Sequence, residues 1–217
     1  MQLTLTTLAL LSASIASAAP APIAHGPGLS SSPTFNLVYM SVGNAPKPVN
    51  CLNDIKLWYA TATYPNITLT PTYSSAALFY KYASDGRIAT GSSGIMFDST
   101  GTTGAIPTRQ PIELGMNNGT AGTDIMLNGS GVPTLWHENR DVLFQACMGE
   151  DGEVVLSYVK PSQRRLKECA SVEMVAMCPG TKTLAMEGAQ MGKPIDVPCV
   201  PQMAEWIAAG EVGNVVK

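Results

Sequence analysis

Charge is scarce in this chain. Only 13% of its 217 residues are Asp, Glu, Lys or Arg, and the net charge is −3. A polymer of phosphates needs a basic patch, and 13 Lys and Arg against 16 Asp and Glu do not supply one; nucleic acid is not expected as a partner. The one basic cluster, Lys160, Arg164, Arg165 and Lys167, reads as a solvated loop. Histidine is nearly missing, at two residues, and no cysteines are spaced C-x-x-C. A structural zinc site therefore lacks ligands, and neither a metal nor a cofactor is expected. Long apolar runs are missing too, since no stretch approaches the ~20 residues that cross a bilayer. The chain closes on Val216-Lys217 without an apolar tail, so neither a membrane span nor a lipid anchor is expected.

Against those shortages, 45% of the residues are hydrophobic. A chain of this size buries about 70% of its unfolded surface in one domain, enough for a core without help from a metal. The first eighteen residues stand apart. Leu3 to Ile15 is a short apolar, hydroxyl-rich run, followed by the small-x-small triplet Ala16-Ser17-Ala18. That is the pattern of a secretory signal peptide cut after Ala18, although its start lacks Lys and Arg. Ala19-Pro20-Ala21-Pro22 cannot continue a strand. Residues 19–33 read as a flexible leader, 34–200 as a β-domain, and 201–217 as a C-terminal helix and tail. Localisation is expected to be secreted, either extracellular or in a cell wall.

An oxidising compartment makes the five cysteines bridge candidates. Several pairings are open. Cys147–Cys169 and Cys178–Cys199 are favoured because each encloses a short stretch with its own turn signals, which leaves Cys51 over. Three sequons, at Asn66, Asn118 and Asn128, lie beside turn chemistry and are candidate glycosylation sites.

Strand signals dominate the body. Phe35, Leu37 and Tyr39 alternate with Asn36, Val38 and Met40, a period of two. A second strand is expected from Ile55 to Ala60, with Leu57 and Tyr59 on one face. Ala77–Tyr82 and Arg87–Thr90 flank the turn Ser84-Asp85-Gly86. Leu143–Met148 and Val154–Val159 flank Gly149-Glu150-Asp151-Gly152, and Val172–Met177 adds another strand. Frequent turns without intervening helices predict an all-β fold, either a compact trefoil-like barrel or a sandwich. The exception is a short C-terminal helix opening at Pro201, with Met203, Trp206 and Ile207 on one face and Gly210 as its cap.

Phe35-Asn36-Leu37-Val38-Tyr39-Met40-Ser41, then Pro48-Val49-Asn50 and Lys56-Leu57-Trp58-Tyr59, resembles the opening strands of a fungal secreted group. That group includes cell-wall proteins of phialide development and IgE-binding allergens. Met96-Phe97-Asp98-Ser99-Thr100-Gly101 and Leu143-Phe144-Gln145-Ala146-Cys147, with Cys169, Val172 and Ala176, are similar as well. The likeness spans residues 34 to 178 in outline. Ile106 to Thr134 holds extra Gly- and Asn-rich material, and the segment after Cys178 has no counterpart. The resemblance implies a secreted, wall-associated β-domain and carries over no catalytic residue.

Catalytic patterns are thin. Gly91-Ser92-Ser93-Gly94 and Gly129-Ser130-Gly131 both miss the G-x-S-x-G spacing of a serine hydrolase. His137 reads as an exposed loop residue between strands. The carboxylates a glycosidase would pair include Asp98, Glu113, Asp124, Glu138, Asp141, Glu150 and Glu153, but no local motif joins any two. Aromatic residues give the better lead, because their faces stack on the apolar C–H faces of sugars. Tyr64, Tyr73 and Trp136 are the candidate glycan contacts. The leading expectation is a non-enzymatic wall or matrix protein, a candidate glycan-binding surface antigen with wall polysaccharide as its partner. A secreted hydrolase acting on that polysaccharide and an effector-like protein binding a host partner are the alternatives. Oligomeric state is not legible.

Overall fold

The computed structural model describes residues 28–40, 57–83, 85–97, 110–116, 119–138, 143–149, 151–159, 166, 169–180 and 192–201. The expected signal peptide, most of the expected leader, Cys51, Asn118, the basic cluster, Asp98, Asp141, Glu150 and, beyond Pro201, the expected C-terminal helix lie outside them.

Among the described residues the fold is all-β, and its one helical stretch is a single 3-10 turn at Tyr73–Ser75. Sixteen strands follow in chain order. They are β1 (Ser30–Ser32), β2 (Asn36–Met40), β3 (Trp58–Thr63), β4 (Asn66–Thr70), β5 (Tyr80–Ala83), β6 (Arg87–Thr90), β7 (Ser93–Met96) and β8 (Gln110–Pro111). Then come β9 (Glu113–Gly115), β10 (Thr123–Leu127), β11 (Pro133–His137), β12 (Leu143–Met148), β13 (Val154–Val159), β14 (Cys169–Ser171), β15 (Glu173–Met177) and β16 (Val197–Cys199).

Ten of these strands run round a nearly closed antiparallel barrel in the order β10-β11-β15-β2-β3-β4-β9-β7-β6-β5. The expected alternation builds it. Phe35, Leu37 and Tyr39 point inward with Trp58, Ala60, Ile67 and Leu69, while Val38 and Val175 point outward into a smaller cluster with Val132, Met177 and Val200. Leu57 and Tyr59 pack against that outer cluster, so they share a face as their spacing predicts. The second strand itself runs on to Thr63, three residues beyond the expected end.

The barrel comes nearest to closing where the β5–β6 turn meets the start of β10. Gly122 N donates to Asp85 O at 2.8 Å and Thr123 N to Gly86 O at 2.7 Å. Lys81 Nζ bonds Asp124 Oδ2 across the same seam at 2.6 Å.

A side sheet branches from the barrel. β13 pairs with β4, β8 and β12, and β12 also pairs with β14. β12 and β13 form the hairpin expected around Gly149–Gly152, in register from Leu143↔Val159 to Met148↔Val154. Every residue of β13 is buried, so both of its faces are covered. Ser30–Ser32, which composition places inside the leader, is the strand β1, paired with β16. Serine backbones pair as well as any others, and only their short side chains give that stretch its loop-like composition.

Candidate functional site

Both favoured bridges are present. Cys147–Cys169 joins directly opposed residues of β12 and β14, and Cys178–Cys199 ties the residue after β15 to β16.

The three candidate glycan contacts do not share a face. Tyr64 is 68% exposed at the β3–β4 turn. Tyr73 follows the opposite end of β4, its ring set edge-on to Tyr59 at 5.3 Å and its hydroxyl accepting from Gly180 N at 3.1 Å. Those contacts hold it as a packing residue. Trp136 is half-buried on β11, directly opposite Asp124 of β10. Ile125 and Leu135, the next opposed pair, belong to the core, so Trp136 and Asp124 face outward. Thr134 and the part-exposed Met126 form the neighbouring outward pair. Trp136 thus keeps an apolar ring beside an ion pair held to Lys81.

The sequons differ in what their side chains already do. Asn128 Nδ2 donates to Glu173 Oε1 at 2.7 Å, and its Oδ1 accepts from Ser130 N and Val132 N at 3.0 Å each. It is the cap of the β10–β11 turn. Asn66 opens β4 half-buried, with the Thr68 hydroxyl of its sequon against Thr63 Oγ1 at 2.8 Å.

The described carboxylates stand on separate elements. Asp124 is taken by Lys81, and Glu113 lies on β9 opposite Asn66. Glu138 lies across Gly122, and Glu153 against Gly149. Among the described residues no group of three His, Cys, Asp or Glu is placed to hold a metal ion, and no helix is long and apolar enough to cross a membrane.

A different cluster, not expected from the sequence, lies inside the barrel. His137 is the last residue of β11 and is half-buried, a correction to its reading as an exposed loop residue. The polar run after it suggests a loop, but β-pairing to Thr123 carries the strand on to His137. Its ring lies 4.7 Å from that of Phe97. Phe97 in turn meets Tyr158 edge-on at 5.4 Å and Phe144 at 6.1 Å. Phe97 is fixed by its own N–H, which donates to Thr120 Oγ1 at 2.9 Å. Phe144 and Gln110 flank Tyr158 as its cross-strand partners on β12 and β8. The Thr123 hydroxyl opposite His137 donates to Thr120 O at 3.1 Å, so it is engaged in structure.

Burial holds the His137 imidazole below its ordinary pKa, and the Glu138 carboxylate offsets this in part. Such a group stabilises the fold while neutral. That contribution is intact above the ordinary value near 6.5 and is lost as pH falls through the depressed folded value. Urea midpoints should therefore fall between pH 7.5 and pH 5 more steeply for the natural chain than for His137→Gln. Identical slopes would show that His137 makes no contribution.

Three of the buried polar side chains lie on the side sheet. Gln145 and Ser157 oppose each other on β12 and β13, and Gln110 sits on the adjoining β8. Neither the carboxamide atoms of the two glutamines nor the Ser157 hydroxyl has a hydrogen-bond partner among the described residues. By strand parity, Gln110 shares the inner face with Tyr158, whereas Gln145 and Ser157 take the outer one.

Compared with family models, with curated proteins and with solved structures, the chain finds no match.

Proposed function

We propose that this chain is a non-enzymatic secreted protein of a cell wall or extracellular matrix, a surface antigen that holds polysaccharide on the outer face of β10 and β11. The observation that carries the proposal is Trp136, half-buried and outward, directly opposite an Asp124 already oriented by Lys81. A pyranose offers an apolar C–H face to an indole ring while its hydroxyls seek charged partners, which the Asp124–Lys81 pair supplies beside the ring. The candidate signal peptide and the two bridges support placement outside the cell. The likeness to fungal wall proteins and allergens, the trefoil-like reading of the barrel and the helix over residues 201–217 belong to the same proposal.

Co-sedimentation with insoluble chitin and insoluble β-glucan tests it. The native protein should pellet with one of them, and Trp136→Ala should weaken that binding by about tenfold or more, as for a central aromatic contact. Equal partitioning of native and heat-denatured protein, or of native protein and Trp136→Ala, would overturn it.

A further inference from the structure

We infer that the outer face of β10 and β11 takes a polysaccharide carrying protonated amines, such as a partly deacetylated chitin, and that Glu138 selects it, an assignment that rests on the polysaccharide-holding face proposed above. Trp136 and Glu138 stand on either side of His137, whose ring turns to Phe97 in the core. Side chains alternate along a strand, so Trp136 and Glu138 share the outer side. On β10 and just before it, Asp124 opposes Trp136, and Gly122 O accepts from Glu138 N at 2.7 Å. Gly122 has no side chain, and the Glu138 side chain lies flat against it. Glu138 Cγ, Cδ and Oε2 come within 2.6, 2.5 and 2.7 Å of where a Cβ on Gly122 would stand. The carboxylate is thereby kept on the face that carries the Trp136 ring.

Charge on this face is unbalanced. Lys81 Nζ bonds Asp124 Oδ2 at 2.6 Å, and at the start of β6 Arg87 Nε bonds Asp85 Oδ2 at 2.9 Å. Each of these cations already meets a carboxylate. Glu138 is exposed and makes no ion pair among the described residues. An indole is the best of the aromatic faces for a cation, and a carboxylate beside it adds a direct attraction. A neutral glucan would use the ring and leave that charge unanswered. A polymer of uronic acids would meet it with like charge. A sugar ring bearing an ammonium group answers both, stacking on Trp136 while its charge faces Glu138.

Calorimetric titration of the mature, oxidised chain with glucosamine hexamer and with N-acetylglucosamine hexamer tests this, in a mildly acidic buffer of low salt where carboxylates are ionised and sugar amines protonated. The natural chain should bind the glucosamine hexamer about five- to tenfold more tightly than the acetylated one. Glu138→Gln should bring the two affinities together and leave that for the acetylated hexamer unchanged. Glu153→Gln removes the same charge away from this face, beside Gly149, and should keep the preference. Trp136→Ala should weaken binding of both hexamers. Equal affinities in the natural chain, or a preference that survives Glu138→Gln or disappears in Glu153→Gln, would overturn the inference, while weakening by Trp136→Ala would still uphold the outer-face reading. Binding of neither hexamer would overturn it too, and the reading falls with it only if insoluble β-glucan also fails to pellet the protein. Trp136→Ala that binds both hexamers as the natural chain does would overturn reading and inference together.

Discussion

Reducing both bridges should lower the thermal midpoint by roughly 12–25 °C. Each closes a loop, the paired cysteines standing 22 and 21 residues apart. In the chain-entropy account each contributes about 3 kcal/mol by restricting the unfolded chain. Their sum, about 6 kcal/mol, is a large part of the 5–15 kcal/mol that holds a typical domain folded. At about 2–4 °C per kcal/mol for a chain of this size, the stated fall follows. The two bridges should act on different parts. Cys178→Ser with Cys199→Ser leaves β16, and with it β1, joined to the end of β15 by the backbone bonds of Val200 N to Ala176 O and Cys178 N to Val200 O without the covalent tie. Cys147→Ser with Cys169→Ser leaves β14 held to the β12–β13 hairpin by its three-residue pairing with β12 alone. Circular dichroism melts with and without reductant provide the check. Unchanged midpoints would mean that the staples contribute nothing to the equilibrium.

Gly86→Val should cost about 3–4 kcal/mol, read as a midpoint about 10 °C lower. Gly86 holds φ at +74°, where a β-branched residue is strained. A Cβ there would stand 3.1 Å from Thr123 O, pressing on the residue whose N–H closes the barrel to Gly86 O. Gly91→Val separates strain from closure. Gly91 also has positive φ, at +55°, but a Cβ there would meet only open space. It should lose the conformational part alone and melt above Gly86→Val. Equal midpoints for the two variants would show that the seam adds no stability at Gly86.

Local signals make much of the barrel legible. Alternation in Phe35-Asn36-Leu37-Val38-Tyr39 is the inward and outward division of β2, and the glycines of Gly149–Gly152 mark the hairpin that β12 and β13 form. The cysteine pairs are readable because each loop is short. What escapes is long-range. Closure between β5, β6 and β10 depends on residues far apart in the chain, such as Lys81 and Asp124. The β10–β11 pair hides in a Gly- and Asn-rich stretch, where Asn128 serves as a turn cap. Gln110 and Gln145 look like surface residues by type, and only strand parity within a covered sheet shows that one faces the interior and the other the outer face. His137 is misread for the same reason: polar neighbours in sequence say nothing of the Phe97 ring that covers it. Tyr64, Tyr73 and Trp136 stand out by residue type, and the chain path puts them on different parts of the barrel.

Peptide mapping of the protein recovered from culture medium, digested without reductant, tests the account at its root. The result predicted is a mature N-terminus at Ala19, one linked peptide pair holding Cys147 with Cys169, and another holding Cys178 with Cys199. A chain that keeps its first eighteen residues, with those four thiols open to alkylation, would contradict both the extracellular setting and the stapled barrel built on it.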